Sequence, residues 1–145
     1  MTQAAKAEKR TALKKYLGRY YIAKQTQADL QHRLRTLQAE FRRTGGASAE
    51  IAGTIEARIT AEIDAGNRSL LEITEIIALL PEDSTERRIL ALRHIDCLSW
   101  RDIQKKVYLT RSPCYRQYNK GLDRLLETDR VRDALRHAKS GRKKT

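Results

Sequence analysis

The sequence predicts an all-α protein: a long antiparallel helical hairpin, coiled-coil-like, followed by a group of shorter helices. Two observations lead to this fold class. Only seven Gly and two Pro occur in 145 residues, too few for a turn-rich β protein. Charged residues make up 33% and aromatic residues 6% of the chain, a composition that favours helices and provides few large core side chains. Long helices packed side by side suit such a thin core.

The first predicted helix carries a heptad repeat. Nine positions follow one another by alternating steps of three and four residues: Leu13, Tyr16, Tyr20, Ala23, Gln27, Leu30, Leu34, Leu37 and Phe41. This is the spacing of a coiled-coil seam. Gln27, its clearly polar member, either fixes the register and number of the partners or is a tolerated defect. Arg42 and Arg43 complement the helix dipole, and Gly45 and Gly46 are expected to end the helix.

A second long helix is predicted from about Ala49 to Leu80, with Ser48 as its cap and Pro81 as its end. Its apolar positions again step by four and three: Ile59, Ile63, Gly66, Leu70, Ile73, Ile77 and Leu80. Gly66 is a weak point that costs about 1 kcal/mol of helix propensity.

The charge pattern supports pairing of these two helices. Residues 1–43 carry a net charge of +8, and residues 44–84 carry −6. Exposed ion pairs contribute only about 0–1 kcal/mol each, so the apolar seams must supply most of the stability. These seams exceed what one hairpin buries, which points to self-association. We therefore predict residues 1–80 to be a helical hairpin that forms oligomers.

Three shorter helices are predicted after Pro81. Ser84 or Thr85 caps the first, "TERRILALRHI". Ser99 caps the second, "WRDIQKKV". After the tight turn "YLT", Thr110 caps the third, "RSPCYRQYNKGLDRLLE".

The last two of these helices each have an apolar and a polar face. The apolar faces carry Trp100, Ile103 and Val107 on the shorter helix and Cys114, Tyr118, Leu122 and Leu125 on the longer one. The polar faces carry Arg101, Lys105 and Lys106 on the shorter helix and Arg111, Ser112, Tyr115, Arg116, Asn119 and Lys120 on the longer one. Two short helices joined by a turn of three to four residues, the second with such a polar face, are a helix-turn-helix. Residues 81–128 are therefore predicted to be a DNA-binding domain.

The polar residues have the chemistry of DNA recognition. Arg can bond two acceptors of guanine, and Asn can bond both edge groups of adenine. Lys and Arg near the helix ends neutralise phosphates. Tyr115 is expected to stack on the backbone or to touch a thymine methyl group. The net charge of +12 and a pI of about 10.0 also indicate a polyanionic partner. We predict that partner to be double-stranded DNA.

Residues 129–145 are predicted to be a basic C-terminal helix or tail. They either extend the preceding helix or form another, as far as about Ala138. Their seven basic residues suit nonspecific phosphate binding. For the final five residues a disordered tail is an equal alternative.

Several other classes of protein are not indicated. Cys97 and Cys114 lie seventeen residues apart and form no zinc-binding spacing with the three His. No Ser–His–Asp order, carboxylate pair or Gly-rich phosphate loop occurs, so we predict no catalytic residue, metal or cofactor. No apolar run has membrane length, and the N-terminus "MTQAAKAEKRTALKK" lacks an apolar core. A cytoplasmic protein with reduced cysteines and no membrane partner is expected.

The stretch "LALRHIDCLSWRDIQKKVYLTRSPCYRQYNKGLDRLL" resembles the region-4 helix-turn-helix of bacterial sigma factors. It is more similar still to phage-encoded proteins that couple such a module to an N-terminal helical hairpin, including late-gene transcriptional activators. The resemblance rests on Arg93, Ile95, Asp96, Cys97, Ser99, Trp100 and Ile103. It implies that the following residues touch promoter DNA in a bacterial host cell: Arg111, Ser112, Tyr115, Arg116 and Lys120. The chain has Tyr108 at the turn position where the family usually has Gly, so a left-handed backbone there is expected to be strained. It has Gly121 where Ala is usual, which is expected to weaken the recognition helix.

Together these features predict a sequence-specific DNA-binding transcriptional regulator, a phage or prophage late-gene activator that acts as a dimer or tetramer. Two alternatives stay open. A small terminase-like DNA-packaging protein also couples a helix-turn-helix to an oligomerising helical region. A protein that binds RNA polymerase or a sigma factor would act without DNA.

Overall fold

The computed structural model describes residues 2–44 and 49–143 of the chain, with side chains described as far as Lys139. These residues form α-helices joined by short turns and contain no β-strand, which confirms the predicted all-α class. The helices are α1 (Gln3–Leu17), α2 (Arg19–Thr44), α3 (Ala49–Ile77), α4 (Thr85–His94), α5 (Trp100–Val107), α6 (Arg111–Leu126) and α7 (Asp129–Lys143).

The first predicted helix is interrupted at Gly18, which separates α1 from α2. Gly18 has φ −79° and ψ −1°, and its N–H group donates to the carbonyl oxygens of Lys14 and Tyr16. A ψ near zero departs from the α-helical value of about −42°. The prediction of one continuous helix is therefore wrong at this residue. The residues predicted to end the first helix, Gly45 and Gly46, lie outside the described residues. The same holds for Ser48, the predicted cap of the second helix.

The chain divides into two units. The helix-pair unit comprises residues 19–44 and 49–69, and the main unit comprises residues 2–18 and 70–143. The boundary predicted near residue 80 differs from this division, because α1 and the last two turns of α3 belong to the main unit.

In the helix-pair unit, α2 and the first part of α3 are in contact. The Gln27 side-chain amide donates from Nε2 to the Glu62 carbonyl oxygen at 3.2 Å. A Cβ atom on Gly66 would lie 3.2 Å from Ala23 Cβ and 3.0 Å from Gln27 Nε2. Gly66, predicted as a weak point of the helix, therefore stands where α3 passes so close to α2 that a larger residue would require Ala23 or Gln27 to shift.

The predicted seam of α2 turns inward along its described length. Its members are all buried or half-buried: Tyr20, Ala23, Gln27, Leu30, Leu34, Leu37 and Phe41. In α3, Ile59 is buried, but Ile63 is 38% exposed. The prediction for Ile63 is wrong because the seam steps by three residues from Ile59 to Glu62, whose carbonyl meets α2, and then by four to Gly66.

The core of the main unit forms where α1, α4, α5, α6, α7 and the end of α3 meet. Its fully buried side chains are Leu13, Leu17, Ile73, Ile76, Ile89, Leu90, Ile103, Cys114, Leu122, Leu125 and Val131. The Tyr16 hydroxyl of α1 donates to Glu72 Oε2 of α3 at 3.0 Å. α1 packs against α6 and α7 and so supports α6 from the side.

Side-chain caps begin the helices that lead to α6. Ser84 Oγ accepts the Arg87 N–H at 3.3 Å, and Ser99 Oγ accepts the Asp102 N–H at 3.2 Å. Both bonds confirm predicted caps. Thr110 holds the N-cap position of α6 with φ −75° and ψ 173°, but its side chain makes no capping hydrogen bond. The predicted side-chain cap is wrong there, and only the backbone of Thr110 begins the helix.

The C-terminal segment forms a helix of its own, one of the two predicted alternatives. Thr128 Oγ1 accepts the Val131 N–H at 3.3 Å, and Val131 and Ala134 are buried. α7 continues to Lys143, beyond the predicted end near Ala138.

Candidate nucleic-acid interface

α5 and α6 are joined by a three-residue turn. The C-cap of α5 is Tyr108, whose backbone is left-handed with φ 56° and ψ 39°. The next residue, Leu109, donates its N–H to the Gln104 carbonyl oxygen at 3.2 Å. A left-handed backbone is unfavourable for a residue that has a Cβ atom. The predicted strain at Tyr108 is therefore present, and the side chain, 91% exposed, makes little packing contact to offset it.

One face of α6 is held in the core, as predicted. The buried residues of this face are Cys114, Tyr118, Leu122 and Leu125. On α5 Ile103 is fully buried, while Trp100 and Val107 are half-buried. This packing fixes the rotation of α6 about its own axis, so its opposite face points to solvent.

The predicted DNA-binding residues lie on that solvent side. Four of α6 are exposed: Arg111, Ser112, Arg116 and Lys120. Tyr115 and Asn119 are half-buried beside them. In the described part of the chain, no hydrogen bond or ion pair engages the charged groups of Arg116 and Lys120. The three predicted residues of α5 are also exposed: Arg101, Lys105 and Lys106.

Aromatic contacts position part of this surface. The ring of Tyr115 lies 4.6 Å from that of Trp100, centroid to centroid, and Trp100 meets the Tyr118 ring edge-on at 4.8 Å. The guanidinium carbon of Arg111 lies 5.7 Å from the Tyr115 centroid, and that of Arg93 lies 5.0 Å from the Trp100 centroid. Tyr115 was predicted to touch DNA itself. The ring of Tyr115 packs on Trp100, which holds the ring in place. The fixed ring in turn orients Arg111 through a cation–π contact.

A buried polar pair links α4 to α6. His94 Nε2 and the Tyr118 hydroxyl are 2.7 Å apart, and both side chains are buried. Burial, with smaller contributions from the charges of Arg93 and Lys14, lowers the pKa of His94 to about 4. Burial also raises the pKa of Tyr118. Both groups are therefore neutral near pH 7. The sequence carried no signal for this pair, because its members lie on different helices.

α4 and α6 approach closely at a glycine. A Cβ atom on Gly121 would overlap Leu90 Cδ1 and lie 3.1 Å from Glu86 Cβ. Glu86 is 3% exposed, and its Oε1 accepts from Arg124 Nη1 at 2.7 Å. The absence of a side chain at Gly121 lets α4 come near enough for this ion pair to form. Sequence reasoning missed the pair and interpreted Gly121 only as a helix weakness.

α1 reaches the solvent side of α6 through a second ion pair. Arg10 donates from Nε to Asp123 Oδ1 at 2.7 Å and from Nη2 to Asp123 Oδ2 at 2.6 Å. Beside this pair lies an open depression of about 410 Å³. It is lined by Arg10, Arg116, Asn119, Lys120, Asp123, Arg124 and Glu127. The heptad interpretation of α1 gave no reason to expect Arg10 beside the predicted DNA-binding residues.

Across residues 2–44 and 49–143, no three His, Cys, Asp or Glu side chains are grouped to hold a metal ion. Within those residues, no helix combines the length and apolarity that crossing a bilayer requires.

Comparison with known proteins adds no relative. No protein-family model matches the chain, and neither a curated protein nor a solved structure matches it.

Proposed function

We propose that this protein is a sequence-specific DNA-binding regulator of transcription that inserts α6 into the major groove. One observation carries the proposal: α6 buries its apolar face completely while it presents Arg111, Ser112, Arg116 and Lys120 to solvent, and no described residue engages the charged groups of Arg116 and Lys120. The net charge of +12 favours a polyanion as the partner of this surface.

The residues divide into two roles in this proposal. Arg111, Arg116 and Asn119 read base edges, because guanidinium and amide groups can form paired hydrogen bonds with guanine and adenine. The remaining cations neutralise backbone phosphates and position the domain: Lys120 on α6, and Arg101, Lys105 and Lys106 on α5. Tyr115 orients Arg111, and Ser112 can donate to a base or a phosphate.

The architecture fits the same proposal. α5, the three-residue turn and α6 have the lengths of a helix-turn-helix, which we assign to the type found in sigma region 4. In the helix-pair unit, Ala23 lies near Gly66 and Gln27 lies near Glu62. Residue numbers therefore increase along α2 in the direction in which they decrease along α3. We assign α2 and α3 there to an antiparallel hairpin.

The helix-pair unit is proposed to assemble subunits. Among its described residues it exposes four large apolar side chains that a second copy would cover: Tyr21, Ile22, Ile51 and Ile63. A dimer or tetramer would place helix-turn-helix modules on half-sites roughly 34 Å apart, or a multiple of that distance. We propose that such an oligomer acts in the cytoplasm of a bacterial host as a phage late-gene activator.

The experiment begins with recovery of preferred sequences from a random duplex library, followed by measurement of binding to the best site. Arg116→Ala should weaken specific binding by about 1–3 kcal/mol, roughly 5- to 150-fold in Kd. Arg88→Ala is the matched control. Arg88 is exposed and lies two residues from both Glu86 and Leu90, away from the side of α4 that packs on α6. Equal affinities of the two variants for the site would show that α6 is not part of the DNA interface.

Light scattering on the same samples gives the number of subunits. A dimer or tetramer agrees with the regulator. A ring of roughly eight or more subunits would instead support a DNA-packaging protein.

A further inference from the structure

The depression between α1 and α6 contains more cations than the α6 surface alone provides. α6 supplies Arg116, Lys120 and Arg124, of which Arg124 is already paired with Glu86, and α1 adds Arg10. Two carboxylates, Asp123 and Glu127, line the same depression. A carboxylate next to a DNA-contacting helix face repels phosphate unless a cation neutralises it.

The geometry of Arg10 suits this neutralisation. Its Nε and Nη2 groups bond the two oxygens of Asp123, a bidentate pair. The guanidinium and its hydrogen bonds hold the pKa of the Asp123 carboxyl below its usual value, with Lys6 adding a smaller effect. Asp123 is therefore ionised and paired near pH 7. Among the described residues Nη1 of Arg10 has no bonding partner, and the side chain is 29% exposed.

Asp123 occupies the position where its charge would matter most. It follows Lys120 by three residues and Arg116 by seven, so all three side chains lie on one side of α6. An unpaired carboxylate there would weaken the attraction of the two cations for the same phosphate. The pair converts Asp123 from a repulsive group into the anchor of a guanidinium whose Nη1 remains open.

We propose that Arg10 makes this depression a phosphate-binding subsite of the DNA interface, in which it neutralises Asp123 and donates to a backbone phosphate through Nη1. The inference rests on the proposed function and names the sugar-phosphate backbone of duplex DNA as the occupant. It gives α1 a role in binding that its heptad pattern did not indicate. The subsite is open and lies beside the exposed side of α6, as a contact to a continuous backbone requires.

Two variants that break the same ion pair separate a binding role from a structural one. Arg10→Ala leaves a free carboxylate in the depression, and Asp123→Ala leaves a free guanidinium. Binding is measured on a mixed-sequence duplex of roughly three helical turns over a series of salt concentrations, because phosphate contacts do not depend on sequence. Arg10→Ala should raise Kd about tenfold at low salt and reduce the slope of log K against log salt by about 1.

Asp123→Ala should bind at least as tightly as the natural protein, without loss of slope. If the ion pair only stabilised the fold, both variants would bind more weakly, and this result would overturn the inference. Thermal unfolding of each variant shows whether it is folded. If Arg10→Ala has no cooperative transition, Arg10→Gln takes its place with the same expected result.

Two control variants on α1 match the changes in net charge. Lys15→Ala removes one positive charge, and Glu8→Ala removes one negative charge. Both residues are exposed and lie on the side of α1 away from the buried Leu13, about 160° from it for Lys15 and about 140° for Glu8 at about 100° per residue. Neither should change Kd by more than about twofold. A loss in Lys15→Ala equal to that in Arg10→Ala would show that overall charge, not the subsite, governs binding.

The failures of the two proposals are distinguishable. If the natural protein does not bind the duplex even at low salt, the proposed function is wrong and the subsite falls with it. If the natural protein binds but Arg10→Ala binds equally well, only the subsite is wrong.

Discussion

Gly121 provides a test in which two explanations predict opposite signs. Helix propensity alone says that Gly121→Ala should stabilise the protein by about 1 kcal/mol, because Gly is a poor helix former. The structure says the reverse. The new Cβ would overlap Leu90 Cδ1, and it would lie 3.1 Å from Glu86 Cβ, an atom that moves only with the backbone of α4. Overpacking of this kind costs about 1–3 kcal/mol, which outweighs the propensity gain, so we expect a net loss of up to about 2 kcal/mol.

The chain offers its own control. Gly53 lies in α3, is exposed, and would meet nothing within 4 Å if it carried a Cβ atom. Gly53→Ala should therefore stabilise the protein by about 0.5–1 kcal/mol. Urea unfolding followed by circular dichroism measures the free energy of unfolding of both variants. In thermal unfolding, each kcal/mol should shift Tm by about 2–4 °C. If Gly121→Ala stabilised the protein as much as Gly53→Ala, the close packing of α4 on α6 would be wrong.

Two further predictions concern the titration of a buried group and a strained turn. The unfolded chain protonates His94 from about pH 6.5 downward, whereas the folded protein does so only near its pKa of about 4. Stability should therefore fall as the pH is lowered through this window, by about 2 kcal/mol at pH 5 and about 3 kcal/mol in all. Urea unfolding at a series of pH values checks this loss. If the free energy of unfolding fell equally with pH in the natural protein and in His94→Gln, the loss would come from a group other than His94. Tyr108→Gly should stabilise the protein by about 1 kcal/mol, because Gly adopts the left-handed conformation without strain and the exposed Tyr108 side chain contributes little packing. A loss of stability in this variant, measured by thermal unfolding, would mean that the turn is not strained.

Local signals explain why α4, α5 and α6 could be predicted from the sequence. A Ser cap lies immediately before α4 and before α5, and the apolar residues of α6 repeat at helical spacing. These features act within a few residues, so no knowledge of distant partners was needed. The separation of buried Cys114 and Tyr118 from exposed Arg116 and Lys120 follows from that spacing alone.

The partner of α1 could not be predicted in the same way. Leu13 and Tyr16 fit the heptad of the first helix, but a heptad specifies only that a face is apolar, not which element covers it. After the break at Gly18 these residues pack in the main unit. The contact of Arg10 with Asp123, 113 residues away in sequence, follows from that docking and has no local signature. The close approach of α4 to Gly121 was hidden for the same reason.

The central claim is that α6 enters the major groove, and protection of DNA from methylation tests it most directly. Dimethyl sulfate modifies guanine N7 in the major groove and adenine N3 in the minor groove, so the pattern of protection identifies the groove that is filled. The natural protein on its preferred site should protect guanine N7, and Arg116→Ala, bound at raised concentration, should lose protection at one guanine of each half-site. Protection confined to adenine N3, or a pattern that Arg116→Ala leaves unchanged, would contradict the claim.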